Sequence, residues 1–278
     1  MKFGIATSVI RRVEPAKSLE ILSDLGFKYL ELSYENFIAT KASLSDSWRG
    51  IRDAISKLNI SINQIHAPYE ASKFESCSRE EVMKSVKSLE PWFKVAAELN
   101  SIVVIHPALT THRTIEKTYM YAKKLEALNI EFFSEVSKLA EDLGILVAIE
   151  NRVERVFGNT IEDLISIIES IGSKSLGICI DTGHLVASDL DVVESIKRSK
   201  KYLIALHLHD NNGYMDQHLP PMIGVVNWES LVKTLKEIEF GKPIIFEAIC
   251  NEPRVEICIN WAKLTKIISD YLLSLVSP

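Results

Sequence analysis

Short apolar segments alternate along this chain with longer segments of helical periodicity. The apolar segments are rich in β-branched residues and predict eight strands, at 3–7, 29–33, 61–66, 101–106, 146–150, 176–181, 203–209 and 243–249. Between them, apolar residues recur every three or four positions, as on one face of a helix. This spacing predicts eight helices, at 16–25, 47–58, 79–99, 115–143, 160–171, 189–199, 228–239 and 256–275.

The strict alternation of strand and helix predicts an α/β protein. Because the strands are apolar at nearly every position, we expect helices to cover both faces of a parallel sheet. No linker rich in Pro, Gly or Ser divides the chain. Eight unbroken units predict a single-domain (β/α)8 TIM barrel over residues 1–278, with its active site at the C-terminal ends of the strands.

Composition and charge narrow the class of protein. Hydrophobic content is 47% and charged content 25%, as in soluble globular proteins. The net charge of −5 gives no overall attraction to phosphate backbones, so nucleic acid is not favoured as a partner. No apolar run approaches the roughly 20 residues of a membrane span. The four cysteines lack C-x-x-C spacing, and we expect reduced, mostly buried thiols in a cytoplasmic protein.

The segment 203–218, LIALHLHDNNGYMDQH, concentrates residues able to bind metal or transfer protons. Alternate residues of a strand face the same side, so His207 and His209 share one face near the strand's C-terminal end. The loop that follows adds Asp216 and His218, again two residues apart. A solvated loop with hydrogen-bonded histidines is the alternative, and the other strands distinguish the two interpretations.

Histidines or acidic residues stand at or just beyond the C-terminal ends of six consecutive predicted strands. They are His66, His106, Glu150, Asp181 with His184, His207 with His209, and Glu247. An unpaired carboxylate or imidazole is costly to bury, and one bound cation can satisfy several of them. Mixed nitrogen and oxygen ligands suit Zn²⁺, Mn²⁺, Fe²⁺ or Co²⁺ better than Mg²⁺ or Ca²⁺. There is no G-x-G-x-x-G or Walker A sequence to indicate nucleotide binding.

Taken singly, several of these residues have simpler explanations. His66 and His106 are each followed closely by proline and could bond to the backbone. Asp181 could cap the turn that follows it. Glu150 could form a buried pair with Arg152. The coincidence over six strands favours a shared metal site over these separate explanations.

Several motifs then carry a resemblance to a known family. They are HAPY (66–69), IHP (105–107), IEN (149–151), GICIDTGH (177–184), HLHDNNGYMDQHLPPMIG (207–224) and FEA (246–248). Over essentially the whole chain, they resemble the xylose isomerase-like TIM-barrel superfamily. This superfamily contains sugar isomerases and epimerases as well as the endonuclease IV family of apurinic-site nucleases. The similarity is greatest to its sugar phosphate isomerase/epimerase-like branch.

The sugar branch implies one divalent metal (Zn, Mn, Co or Fe) bound by Glu150, Asp181, His207 and Glu247. It also implies that Glu150 and Glu247 exchange protons with a small sugar, sugar phosphate or polyol through a metal-stabilised enediolate. His184 and His209 are then expected to contact substrate hydroxyls. Arg152 is expected to meet a phosphate or carboxylate of the substrate.

The endonuclease IV branch instead implies up to three zinc ions and an apurinic-site phosphodiesterase. Its further ligands would be His66, His106, His184, Asp216 and His218. Two departures from that family's pattern count against this branch. Residues 70–73 (EASK) replace a segment with which that family contacts DNA, and residues 216–218 (DQH) lack the basic residue of its motif. The preferred prediction is therefore a metal-dependent isomerase or epimerase. A sugar-binding barrel without catalytic activity is a third alternative.

Overall fold

Eight parallel strands close into a barrel in the computed structural model, which describes residues 1–111 and 119–275. The barrel strands are β1 (Phe3–Ala6), β2 (Tyr29–Ser33), β3 (Ser61–His66), β5 (Ile102–Ile105), β7 (Val147–Glu150), β8 (Leu176–Asp181), β9 (Leu203–Leu208) and β10 (Ile244–Phe246). Around the barrel they follow the order β1, β10, β9, β8, β7, β5, β3, β2. Two short strands, β4 (Lys73–Phe74) and β6 (Leu109–Thr110), pair with each other in a separate two-stranded sheet.

Helices connect successive barrel strands. They are α1 (Pro15–Asp24), α2 (Tyr34–Thr40), α3 (Leu44–Lys57), α4 (Arg79–Leu99), α5 (Tyr119–Leu143), α6 (Ile161–Ile171), α7 (Thr182–Ala187), α8 (Val192–Ser199), α9 (Trp228–Glu237) and α10 (Val255–Ser274). Short 3-10 helices span Thr7–Ile10 and Tyr69–Ser72. No helix within the two described ranges is long and apolar enough to cross a membrane.

The predicted TIM barrel is confirmed, and each predicted strand and helix has its counterpart. The predicted strands at 101–106, 203–209 and 243–249 are too long at their C-terminal ends, so His106, His209 and Glu247 lie just beyond β5, β9 and β10. The start of the helix predicted at 115–143 lies outside the described residues. Two short helices, α2 and α7, were not predicted.

Small and β-branched side chains fill part of the barrel axis. Val104, Ala148, Cys179 and Ala205, from four neighbouring strands, form one fully buried cluster there. Because side chains alternate along a strand, the residues two positions further on face the same interior. Those residues are His106, Glu150, Asp181 and His207, so an apolar layer lies directly beneath a polar one.

The cysteine prediction is wrong for two of the four residues. Cys250 and Cys258 form a disulfide, with their Cα atoms 5.4 Å apart. The loop after β10 turns back so that Cys250 meets the first turn of α10, a proximity that spacing along the chain does not reveal. Cys179 is a buried free thiol, as expected, whereas Cys77 is free and exposed.

Candidate metal centre

Four residues from the ends of β7 to β10 converge at the C-terminal mouth of the barrel. Glu150, Asp181, His207 and Glu247 each offer one ligand atom, and these atoms lie within 4.8 Å of one another. All four side chains are buried. The parallel register that places Asp181 opposite His207 brings residues distant in sequence to the same level of the barrel.

His207 lies at the centre of this group. Its Nδ1 atom is 2.9 Å from Oε1 of Glu150 and 3.2 Å from Oε2 of Glu247. On the other side of the ring, Nε2 is 2.6 Å from Oε2 of Glu31. Burial alone would lower the pKa of His207, but its anionic neighbours raise that pKa well above the usual value. Two glutamates that end different strands therefore meet at a single imidazole nitrogen.

The two glutamates are held ionised by the surrounding imidazoles. Burial alone would raise the pKa of Glu150, but His207, His106 and His66 bring it well below the usual value. For Glu247, His207 and His218 likewise outweigh burial and lower the pKa. Both carboxylates are therefore able to bind a cation or accept a proton at neutral pH.

A second group shares Glu150 with the first. Its Oε2 atom lies 3.1 Å from Nε2 of His66 and 3.4 Å from Nε2 of His106. His66 also directs Nδ1 to the carbonyl oxygen of Ala67, at 3.1 Å, so the backbone contact considered for His66 exists alongside the contact with Glu150. Because its two oxygens face different histidines, Glu150 stands between two candidate metal positions.

The neighbouring imidazoles His66 and His106 differ in charge. Burial opposes protonation of His66, but Glu150 outweighs it and raises the pKa of His66 to about 10. Burial lowers the pKa of His106 to about 3, with Glu150 opposing the shift and nearby cations adding to it. His106 is therefore neutral at pH 7, in the form that a metal requires.

A third group lies on the other side of Asp181 and consists of His184, His209, Asp216 and His218. Oδ2 of Asp216 is 3.3 Å from Nε2 of His184 and 3.2 Å from Nε2 of His218. The rings of His209 and His218 stack with their centroids 3.9 Å apart. Burial alone would raise the pKa of Asp216, but the imidazoles of His184 and His218 lower it strongly. The loop after β9 thus delivers both of its predicted polar residues to the site.

Asp210, the remaining acidic residue of the 203–218 segment, has a structural role. Its Oδ1 atom accepts hydrogen bonds from the backbone amides of Asn211 and Val226, and its Oδ2 atom accepts one from Nε1 of Trp228. Its backbone pairs in both directions with that of Leu219. Asp210 therefore fastens the base of the loop that carries Asp216 and His218.

Two buried polar atoms at the centre lack a hydrogen-bond partner among the described residues. They are Oδ2 of Asp181 and Nε2 of His209. Nε2 of His209 is only 2.9 Å from Oδ1 of Asp181, but the pair lacks hydrogen-bond alignment. Two ligands of the same cation lie close together without a hydrogen bond between them, as these two groups do. A bound cation would also offset the cost of burying them. The donor set of imidazoles and carboxylates fits Zn²⁺, Mn²⁺, Fe²⁺ or Co²⁺.

Asp181 also acts as a helix cap. Its Oδ1 atom accepts a hydrogen bond from the backbone amide of His184, at 2.7 Å, and so begins α7. The capping explanation considered for Asp181 thus accounts for one oxygen and leaves the other free for a ligand. The side-chain amide of Asn151 donates a hydrogen bond to the backbone carbonyl oxygen of Asp181, which ties the ends of β7 and β8 together.

Sequence reasoning missed three polar residues near the centre, Glu31, Gln64 and Glu35. Glu31 and Gln64 are buried inside β2 and β3, and both reach Nε2 of His207. The signal for Glu31 was a carboxylate in the middle of the apolar segment YLELS. Oε2 of Glu35 is buried without a hydrogen-bond partner, and burial raises the pKa of that carboxyl group.

Arg152 is engaged within the protein. Its guanidinium donates to both carboxylate oxygens of Glu154, at 3.1 and 3.2 Å, and to the carbonyl oxygen of Pro107, at 2.6 Å. The alternative considered for Glu150, a buried pair with Arg152, is not among the ion pairs of the described residues, where Arg152 pairs with Glu154. Three of its five donors are thus committed before any substrate binds.

A cleft of about 240 Å³ opens above the centre. Its lining includes His66, His106, Glu150, His184, Asp216, His218 and Glu247 from the three groups, together with Glu35, Tyr69, Lys73, Arg152, Val153, Glu154 and Ile249. Residues of all three groups therefore face one opening at the C-terminal end of the barrel. This is the face at which TIM barrels place their active sites.

The fold is that of a TIM barrel, and the cluster of histidines and carboxylates at its mouth could hold a metal ion. The chain belongs to the xylose isomerase-like TIM barrel family, whose family model matches residues 19–271. An uncharacterised protein of Methanocaldococcus jannaschii is 29% identical over 89% of this chain and 83% of its own length. A D-psicose 3-epimerase of Enterocloster bolteae is 24% identical over 89% of this chain and 82% of its own length.

Two further comparisons bear on the two branches. The crystal structure of a D-tagatose 3-epimerase-like protein superposes with a TM-score of 0.79 at 27% identity, covering 99% of this chain and 98% of that one. A probable endonuclease 4 of Mesomycoplasma hyopneumoniae is 26% identical over 68% of this chain and 71% of its own length. The chain is thus related to sugar epimerases and, over a smaller part, to an endonuclease.

Proposed function

We propose that this protein is a divalent-metal-dependent sugar epimerase or isomerase. The observation that carries the proposal is the convergence of Glu150 and Glu247 on Nδ1 of His207, at 2.9 and 3.2 Å, beneath one cleft. The similarity of the chain to a psicose epimerase and to a tagatose epimerase-like protein supports this class of reaction. Two carboxylates that line one cleft allow one to remove a proton and the other to supply one.

In this proposal Glu150, Asp181, His207 and Glu247 hold the metal. His209 joins them as a further candidate ligand, because its unpartnered Nε2 atom faces Asp181. When bound, a divalent metal supplies polarisation of a substrate carbonyl and stabilisation of the negative charge that develops on deprotonation. The buried, low-dielectric position of these ligands strengthens both effects.

The protein's own residues then carry the proton. Either glutamate, ionised because imidazoles lower its pKa, removes a proton from the carbon next to the carbonyl. The other glutamate, after it has taken a proton from solvent, donates that proton to the other face or to the neighbouring carbon, and the first glutamate releases its own proton to solvent. Such general acid–base steps contribute about 10²–10⁴-fold to rate. His184 and Glu35, at the edge of the cleft, are placed to contact substrate hydroxyls.

The cleft favours a monosaccharide over a polymer. At about 240 Å³ it is smaller than most clefts that bind drug-sized ligands. Its lining combines carboxylates with a few apolar side chains, such as Val153 and Ile249. The phosphate contact predicted for Arg152 has the least support among the predicted site contacts, because two of the guanidinium nitrogens already donate to Glu154.

The test uses Glu150→Gln and Glu247→Gln variants that are folded and loaded with Mn²⁺, Co²⁺ or Zn²⁺. Wild-type protein should catalyse epimerisation of free ketoses with incorporation of solvent deuterium, followed by NMR. Each variant should lose at least about 10²-fold in kcat. Glu154→Gln is the matched control, because Glu154 lines the same cleft but pairs with Arg152. Full activity in both test variants would overturn the mechanism, and tight ketose binding without turnover would support a sugar-binding barrel.

A second candidate, a three-metal phosphodiesterase acting on abasic DNA, is favoured by one specific observation. The three groups of ligands adjoin one another, with Glu150 shared between two of them. A probable endonuclease 4 is also among the relatives. Metal analysis separates the candidates, since about three zinc ions per chain with incision of abasic duplex DNA supports the nuclease. One metal per chain and no DNA retention at moderate salt supports the epimerase.

A further inference from the structure

We propose that Glu31 is a positioning residue of the metal centre and acts through His207. This inference rests on the proposed function, because it requires a cation at the mouth of the barrel. Glu31 lies in the middle of β2. It contacts Nε2 of the His207 imidazole, on the side of that ring opposite to Glu150 and Glu247. It does not face the cleft, so its effect reaches the reacting groups only through the imidazole.

The contact between Glu31 and His207 is short and fully enclosed. Oε2 of Glu31 is 2.6 Å from Nε2 of His207, and both side chains are 0% exposed. The other carboxylate oxygen accepts a hydrogen bond from Oγ of Ser33, at 3.2 Å. Thr7 in turn accepts a hydrogen bond from the backbone amide of Ser33, at 2.9 Å. Glu31 is therefore held on both sides and cannot turn away without breaking buried contacts.

Burying the Glu31 carboxylate costs free energy of desolvation, which an apolar side chain at the same position would avoid. Among the ion pairs of the described residues, His207 is the only partner of Glu31. Pairs of buried charges are often no more stabilising than apolar side chains of similar size. The arrangement is therefore better explained by what it does to the imidazole than by its contribution to folding.

Its effect on the imidazole is to select one tautomer and one orientation. In the metal-free protein Nδ1 faces Glu150 and Glu247 at 2.9 and 3.2 Å. With Glu31 accepting from Nε2, a proton stays on that nitrogen, so a cation between the two glutamates would displace the proton of Nδ1 and bind its lone pair. A carboxylate behind a metal-binding histidine fixes the ring and raises its basicity, and losing such a carboxylate costs about 10–100-fold in metal affinity. The same contact also keeps His207 against Oε1 of Glu150, which fixes the proton-transferring carboxylate.

Gln64 provides a control for charge at constant geometry. Its Oε1 atom lies 3.1 Å from the same Nε2 atom, and the side chain is 1% exposed. The variant Glu31→Gln keeps the shape of Glu31 and removes its charge. Adding Gln64→Glu to that variant returns one carboxylate to the same nitrogen from the neighbouring strand β3.

The experiment measures the affinity of the full chain for Mn²⁺ or Zn²⁺ by competition with a chromophoric chelator. Glu31→Gln should bind the metal about 10–100-fold more weakly, and the double variant should recover most of that loss. A role in packing alone predicts equal metal affinity in all three proteins. An affinity of Glu31→Gln within about twofold of wild type would overturn the inference, as would a double variant that recovers nothing.

A second measurement does not depend on how the variants fold. In metal-loaded wild-type protein, the ¹⁵N chemical shifts of His207 should report a protonated Nε2 and an unprotonated Nδ1. The reverse tautomer would contradict the role of Glu31. Wild-type protein that binds no divalent metal under any condition would instead overturn the proposed function, so the two failures are distinguishable.

Discussion

Nε2 of His209 lies 2.9 Å from Oδ1 of Asp181, and no hydrogen bond aligns the two groups. The remaining oxygen of Asp181 is also without a hydrogen-bond partner among the described residues. His207, two residues earlier on β9, differs because carboxylates occupy both of its nitrogens. His207, near the end of β9, and His209, just beyond it, are therefore surrounded by different polar contacts.

We predict that His209→Asn weakens binding of Mn²⁺ or Zn²⁺ by at least about tenfold, because it removes the unpartnered imidazole beside Asp181. The metal-free variant should unfold at a lower temperature than wild type, because Asn does not replace the stacking of the buried His209 ring on His218. Isothermal titration calorimetry and thermal unfolding check the two statements. Unchanged affinity would remove His209 from the ligand set and return it to substrate contact.

Gly183 should be required for the position of His209. A Cβ atom at residue 183 would lie 1.8 Å from Cε1 of His209, so the ring would have to move. Gly183→Ala is expected to lower both metal affinity and kcat by at least about tenfold. Gly50→Ala is the matched control, because its added Cβ meets only Ala16, at 3.5 Å. That control should be neutral for activity and stabilising by about 0.5–1 kcal/mol in the helix.

The metal-free protein should become less stable as pH rises from about 6.5 to 10. Carboxylates outweigh burial and raise the folded-state pKa of His66 to about 10 and of His218 to about 9. A pKa raised on folding gives stability that is present below the unfolded value near 6.5 and lost as pH rises through the folded value. Thermal unfolding of metal-free protein at pH 6, 7.5 and 9 measures this loss, at roughly 2–4 °C per kcal/mol.

His66→Asn should reduce the fall in unfolding temperature at alkaline pH. An unfolding temperature of the metal-free protein that does not change with pH would contradict the raised pKa values of His66 and His218. His106 has the opposite sign, because burial lowers its pKa to about 3. Its contribution is present above pH 6.5 and is lost as pH falls toward 3. A protonated His66 or His218 beside the site repels a cation, so metal affinity should rise with pH over the alkaline range in which these two histidines lose their protons.

Breaking the disulfide should destabilise the protein without abolishing the metal centre. Cys250 and Cys258 are 8 positions apart in sequence, and closing a loop of this size contributes about 2–3 kcal/mol. Cys258→Ser should lower the free energy of unfolding by that amount, as measured by urea denaturation. Cys77→Ser, at an exposed free thiol, is the control and should be neutral. An equal stability of wild type and Cys258→Ser would show that the bond contributes nothing.

The barrel was predictable because its strands carry a strong pattern, apolar on both faces and separated by helical repeats. The helices α2 and α7 were missed for a physical reason. Each is only 7 or 6 residues long, too short for an apolar repeat to stand out. The start of α7 depends on a cap from Asp181, a residue that the sequence pattern had already associated with metal.

The candidate ligands were predictable because parallel strands bring their C-terminal ends to one face. The roles of Glu150, Asp181, His207 and Glu247 remain predictions that the variants above test. Glu31 escaped notice because it lies inside a strand, two residues before the end, where pattern analysis expects core. The disulfide escaped because only the turn after β10 reveals that Cys250 and Cys258 meet.

The loop between Asp210 and Leu219 is closed at its base by a pair of backbone hydrogen bonds, and the carboxylate of Asp210 fastens that base to Trp228. It carries Asp216 and His218, two of the four residues of the third ligand group. A change confined to this loop would therefore remove two candidate ligands and leave Glu150, Asp181 and Glu247, at the ends of the barrel strands, in place.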